Sequence, residues 1–131
     1  MVGGGGVGQA VSQNEHLLWY PRFAHGLSPK VALDAEAEVQ RDGLRQRLLD
    51  DASRWSSVIG AWPDSRLDGE LSYTRTTGEA VSLPFTATLL HVFNHGTHHR
   101  GQISAALTAM GQACPVLDMV LMLQQQRLER A

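Results

Sequence analysis

From His91 to Gln102 the chain reads His-Val-Phe-Asn-His-Gly-Thr-His-His-Arg-Gly-Gln, and four of its six histidines fall in this run. On a helix turning about 100° per residue, His91, His95, His98, His99 and Gln102 share one stripe. Leu89, Phe93, Ile103 and Leu107 centre on a neighbouring stripe, with Val92 and Gly96 between the two. The imidazoles therefore belong at the edge of an apolar face, where an interior meets water. His95 and His99 stand four residues apart, so one turn brings both rings to the same side. That spacing offers two nitrogens to one divalent cation, as the two histidines of H-E-x-x-H do for zinc. No Glu follows His95, so the general base of a metalloprotease is missing. A bare pair is more often two core-edge histidines bonded to carbonyls. Four in this short run, followed by Arg100-Gly101-Gln102, ask for more, because imidazoles facing a core are costly unless each nitrogen is satisfied.

The histidines need a helix to carry them and neighbours to pack it. Pro84 is placed to open that helix, and Gly111 to stop it in the left-handed conformation. Upstream, Val11, Leu17, Leu18, Trp19 and Phe23 give residues 9–24 a fair apolar face, kinked by Pro21, with His25-Gly26 as the exit turn. Ser28-Pro29 reads as a helix start, Ser capping and Pro in the first turn. Its body extends to about Gly60, with Leu44, Leu48, Trp55, Ile59 and Trp62 recurring every three or four residues and Ala52 filling the gap. Glu38, Asp42, Asp50 and Asp51 on the other side read as a solvated face rather than a carboxylate metal site. Trp62-Pro63-Asp64 ends it. From residue 71 to 83 the period changes to two: Leu71, Tyr73 and Arg75, then Ala80 to Leu83, flank a Thr77-Gly78 turn. Such a hairpin has to pack on helices, being unstable alone, and Arg75 and Glu79 are expected to face solvent. Leu117 to Leu128 forms a last short helix, its apolar side Leu117, Val120 and Leu121. The fold class is all-α, a helix bundle with a small β-hairpin insertion.

Composition narrows the function classes. At 131 residues the chain holds one domain with one core. Residues 1–8 are a Gly-rich tail expected to be disordered, since consecutive glycines start a helix at a cost, and no Lys-Ser/Thr follows to make a phosphate loop. Residues 9–131 form the domain. With 11 Lys and Arg against 13 Asp and Glu, scattered, no nucleic-acid surface is indicated. No apolar run approaches the ~20 residues of a membrane span. The single Cys114 excludes an intrachain disulfide, fits a reducing compartment and reads as a small hydrophobe. With no signal-peptide pattern, the cytoplasm is expected.

Taken together, His91 to Gln102, Ala105-Ala-Leu-Thr, Gly111-Gln-Ala-Cys-Pro115 and Leu117-Asp118 closely resemble the DinB-like family of metalloenzymes, also called DinB/YfiT. There the run is typically N-H-x-T-x-H-R-G-Q, then a helix, then G-x-x-x-P and L-D. The hairpin from Leu71-Ser-Tyr73 to Gly78-Glu79 and the stretch Leu18-Trp-Tyr-Pro-Arg-Phe-Ala24 are similar to family elements, so the resemblance covers residues 9 to the C-terminus. It implies an antiparallel four-helix bundle, often dimeric, with a divalent metal on three histidines. Two of these correspond to His95 and His99. His98 falls at a variable position, and His91 matches a common histidine that is not a ligand. The third belongs to the family's second helix, about two turns before Trp19, near Val11. His16, five residues further on, would point roughly 140° away, and His25 lies too far along. The family's first helix has no counterpart, so the bundle is expected to be incomplete at the N-terminus.

Two functions follow as expectations. One is a divalent-metal-dependent enzyme, thiol-transferase-like or hydrolase-like, using zinc, nickel, manganese or iron on His95 and His99. Such a metal lowers the pKa of a bound water or thiol. Its substrate would be a low-molecular-weight thiol or another small molecule, and Gln102 would orient a ligand or fix a histidine tautomer. The other is a non-catalytic truncated remnant, a helical binding or dimerisation module. A bundle short of one helix exposes an apolar groove, which favours a homodimer.

Overall fold

The computed structural model of the chain describes residues 15–32, 38 and 40–130. The chain is mostly helical, with one two-stranded antiparallel sheet. A wide helical turn, Glu15–Trp19, runs into α1 (Tyr20–His25), and Gly26 closes that helix in the left-handed conformation. Pro21 sits in the first turn of α1, directly after the wide turn, at the point where the helical path changes from π to α. The expected helix over residues 9–24 is thus seen in its second half; residues 9–14 lie outside the described part.

α2 is Arg41–Ala61. The start expected at Ser28-Pro29 is not used: residues 27–32 are non-helical, and the Ser28 hydroxyl accepts the Thr74 N–H at 2.9 Å instead. The capping oxygen has been recruited to the hairpin. α2 ends as expected, because Pro63 pushes Trp62 into an extended conformation, ψ 137. A short 3₁₀ turn, Asp64–Arg66, leads to β1 (Glu70–Thr74) and β2 (Ala80–Pro84). Leu71 pairs with Leu83 and Tyr73 with Val81, so the alternation puts Leu71 and Tyr73 on the inner face. Arg75 and Glu79 are exposed and pair with each other at 3.0 Å across the turn.

α3 (Phe85–Ala109) carries the histidines. It lacks a side-chain cap, but the Phe85 N–H donates to the Gly69 carbonyl at 2.9 Å, and the Thr86 hydroxyl to the Leu67 carbonyl at 2.6 Å. The turn leading into the hairpin therefore fixes where α3 begins. Its end is a Schellman closure: Gly111 has φ 70, and the Gly111 and Gln112 N–H groups reach the Thr108 and Leu107 carbonyls at 3.0 and 2.9 Å. α4 (Met119–Glu129) is capped by the Asp118 carboxylate, which accepts from Val120 and Leu121 N–H.

One core forms where these elements meet. Phe23, Trp55, Leu71, Phe85, Leu89 and Val92 are buried together, flanked by Trp19, Tyr20, Val58, Ile59, Trp62 and Tyr73. Phe85 is at its centre, ring centroids 5.0 Å from Phe23 and 4.9 Å from Trp62, both near edge-to-face. On α3 the buried residues are Phe85, Thr88, Leu89, Val92 and Gly96. The inward stripe thus centres on Val92 and Gly96. Phe93, expected on it, is 44% exposed and meets Trp55 edge-on at 5.5 Å. Nothing beyond Gly96 on α3, and nothing on α4, is buried. Leu117, Val120 and Leu121, expected to pack inward, are all more than half exposed. A second departure is Asp51. Expected on a solvated face, its side chain is only 11% exposed, within 4.0 Å of Arg47 and 3.7 Å of Arg54.

Candidate metal centre

α3 passes from core to solvent through the histidine run. His91 and His98 are exposed, while His95 and His99 are half-buried. The rings form a continuous set: His91 stacks on His95 at 5.4 Å, His95 meets His99 edge-on at 4.4 Å, and His98 lies 5.2 Å from His99. Because His95 and His99 are one turn apart, their Nε2 atoms converge to 3.0 Å. The other nitrogen of His99, Nδ1, lies 2.7 Å from Gln102 Oε1. An amide oxygen only accepts, so Nδ1 carries the proton and Nε2 of His99 is a free lone pair. His95 Nε2–H then donates to it. Burial lowers the His95 pKa from its ordinary value, and the neighbouring His99, His91 and His98 lower it further. A neutral imidazole is the form that ligates a cation.

The donor chemistry can be tested against a divalent cation. Two nitrogens bound to one tetrahedral zinc at about 2.0–2.1 Å stand about 3.3–3.4 Å apart. The observed 3.0 Å needs a few tenths of an ångström of opening, and His95 must move its proton to Nδ1. His95, His99 and Gln102 thus fit one edge of a coordination sphere and its outer support. Among the described residues no three His, Cys, Asp or Glu side chains gather as a metal site. Val11, the position expected to carry the third ring, lies outside them, and the side chain of His16 is not described. His98 is exposed, its ring stacked 6.3 Å from that of His95, and His25 is exposed, edge-on to Tyr20 at 5.8 Å.

Neighbouring features went unread in the sequence. Trp19 meets the His91 ring edge-on at 5.8 Å, linking the end of the first helical segment to the histidine run. Arg22 is 5% exposed, its guanidinium 4.7 Å from the Trp19 ring centroid and 4.3 Å from that of Tyr73. Nothing in the spacing marks Arg22 as buried. Tyr73 was signalled by hairpin alternation alone. Two cavities adjoin α3. One, ≈ 270 Å³, lies against α2 and is lined by Asp51, Trp55, Ile59, Val92, Gly96 and Arg100. The other, ≈ 320 Å³, is lined by Trp19, Tyr73, Leu83, Ala87, Thr88 and His91. Cys114, half-buried, places its Sγ 3.0 Å from Ser104 Oγ and ties the connecting loop to α3.

No helix among the described residues is long and apolar enough to cross a membrane. The sequence profile of the DinB family matches residues 14–130. No curated protein and no solved structure matches the chain.

Proposed function

The chain belongs to the DinB family, and we propose that it is a divalent-metal-dependent enzyme of that family, thiol-transferase-like or hydrolase-like, acting in the cytoplasm on a low-molecular-weight thiol or another small molecule. The supporting observation is the convergence of His95 and His99 Nε2 at 3.0 Å with Gln102 holding the far nitrogen of His99. His95 and His99 would hold the cation. When bound, it supplies a Lewis acid that acidifies a water or a thiol. The chain's own part is to hold both rings neutral with His99 Nε2 unprotonated, to fix the His99 ring through Gln102, and to leave the solvent side open for exchange, His95 shifting its proton to Nδ1 as the cation binds. The bundle plan of the family places a third imidazole opposite this pair. Counted along the chain from Trp19, that place falls near Val11, which cannot ligate, so we expect weak metal binding and little transferase activity unless another donor completes the set.

The test is zinc, nickel, manganese and iron content after loading and desalting. His95→Ala and His99→Ala should each lose the metal, and His98→Ala should keep it. Equal metal in wild type and His99→Ala would sink the proposal.

One observation favours a second reading, a non-catalytic dimerisation module. Met119 to Leu123 are five consecutive apolar residues, each between 49% and 68% exposed. A helix apolar on all sides is ordinarily buried. A homodimer with no specific metal uptake would favour this reading over the enzyme.

A further inference from the structure

We propose that the ≈ 320 Å³ cavity beside His91 is a binding site for a planar aromatic anion, an aryl carboxylate in its simplest form. As the substrate subsite of a metal centre the proposal rests on the function above; as a binding site it does not.

Its volume falls within the range of small-ligand pockets, about 300–1,000 Å³. Three rings shape it. Trp19 stands edge-on to Tyr73 at 5.4 Å and edge-on to His91 at 5.8 Å, the interplanar angle being 68° in both cases. Leu83 and Ala87 add apolar wall, and the Thr88 hydroxyl is already spent on the Pro84 carbonyl at 2.8 Å. A corner of rings set at these angles offers a flat group one face to stack on and one edge to meet, the two arrangements aromatic pairs prefer. An aliphatic chain would gain the burial without the ring geometry.

The charge preference comes from Arg22. Its guanidinium lies over the same two rings, within one ring of the cavity wall. It is buried, it donates one long hydrogen bond to the Thr74 carbonyl at 3.5 Å, and its Nε has no partner among the described residues. Burial lowers its pKa from the ordinary guanidinium value, with Tyr73 opposing, yet an arginine stays charged at any working pH. A buried cation without a carboxylate beside it is costly and makes a positive potential around itself. No Asp or Glu lines the cavity among the described residues. An anion there offsets what the fold leaves unbalanced. His91, stacked on His95, puts the far end of such a ligand next to the histidine pair.

The experiment titrates chelator-treated full chain with benzoate and with its neutral isostere benzamide, following the three tryptophan indole N–H signals by NMR; Trp19→Phe identifies the first. Benzoate should shift the Trp19 signal saturably, and benzamide should bind about fivefold more weakly. Ala87→Leu fills the cavity from an exposed helical position without removing a core contact, and should weaken benzoate about tenfold or more. Zinc uptake by Ala87→Leu should be unchanged, and His99→Ala should still bind benzoate. Shifts confined to Trp55 or Trp62, equal affinity for benzamide, or unchanged benzoate binding by Ala87→Leu would each overturn the proposal. Benzoate binding with no zinc uptake in the wild type would overturn the metal reading and leave the cavity standing.

Discussion

Gln102 gives the sharpest test of how the histidine pair is prepared. Replacing it by Leu removes the oxygen 2.7 Å from His99 Nδ1 while keeping the size of the side chain and the helix propensity. Two magnitudes compete. Loss of an outer-shell partner at a metal site typically costs about 10–100-fold in affinity. A net hydrogen bond is worth only about 0.5–1.5 kcal/mol, or roughly 2- to 13-fold. Gln102 is exposed and His99 half-buried, so water can replace the lost acceptor in part. That decides for the lower end: we expect zinc affinity to fall about tenfold. The assay is competition against a chelator of known affinity at about pH 7.5, above the ordinary imidazole pKa. Helix content by circular dichroism should not change. Gln102→Glu keeps an acceptor on Nδ1 and adds negative charge near the cation, so it should bind at least as well as wild type. Gln102→Leu within twofold of wild type, or Gln102→Glu weaker than Gln102→Leu, would refute the tautomer argument.

Other outcomes follow from the same contacts. Phe85 is fully buried among Phe23 and Trp62, so Phe85→Ala should cost about 3–5 kcal/mol, read as a lowered urea midpoint; a loss below 1 kcal/mol would mean the core is not centred there. The His95 pKa is depressed in the fold, so on acidification the unfolded chain takes the proton first. The neutral ring's contribution is kept above about pH 6.5 and lost as pH falls below it. Urea midpoints should therefore drop between neutral pH and mildly acidic pH more in wild type than in His95→Gln, and equal drops would contradict this. The exposed apolar α4 should drive self-association: light scattering should give twice the chain mass, and Leu121→Glu should give the monomer. A wild type that stays monomeric and melts cooperatively would count against it.

The histidine helix was legible because its signals are local. Pro84, Gly111 and the four-residue spacing of His95 and His99 each act within one or two turns, and the structure places all of them as expected. The hairpin was legible for the same reason, through alternation and Gly78, whose φ is 92. What failed was non-local. Ser28-Pro29 has the local chemistry of a helix start, yet Ser28 serves a strand 46 residues away. Asp51 looked solvated because its neighbours in sequence are charged, but the side of α2 that it shares with Trp55 faces α3. Leu117, Val120 and Leu121 carry an apolar pattern that says they want burial without saying against what. Arg22 carries no pattern, since its burial depends on two rings from different elements.

Position along α3 explains why the histidine pair is suited to chemistry. Buried residues on this helix stop at Gly96, and His95 and His99 lie on either side of that stop. Further toward Phe85 the rings would be enclosed, and no ligand could exchange. Further toward Ala109 both would be fully wet and held by nothing. At the boundary, partial desolvation and three neighbouring imidazoles keep His95 neutral, and Gln102 fixes His99, while the outer edge of the pair meets solvent. The turn leading into the hairpin sets this register: Gly69 and Leu67 fix the first residues of α3, and the ten-residue step from Phe85 to His95 carries the rings just beyond the core. A slip of α3 by one residue would turn the pair by about 100° and remove the Trp19 contact to His91. The small sheet and the turn before it, which supply none of the histidines, are therefore what aims them.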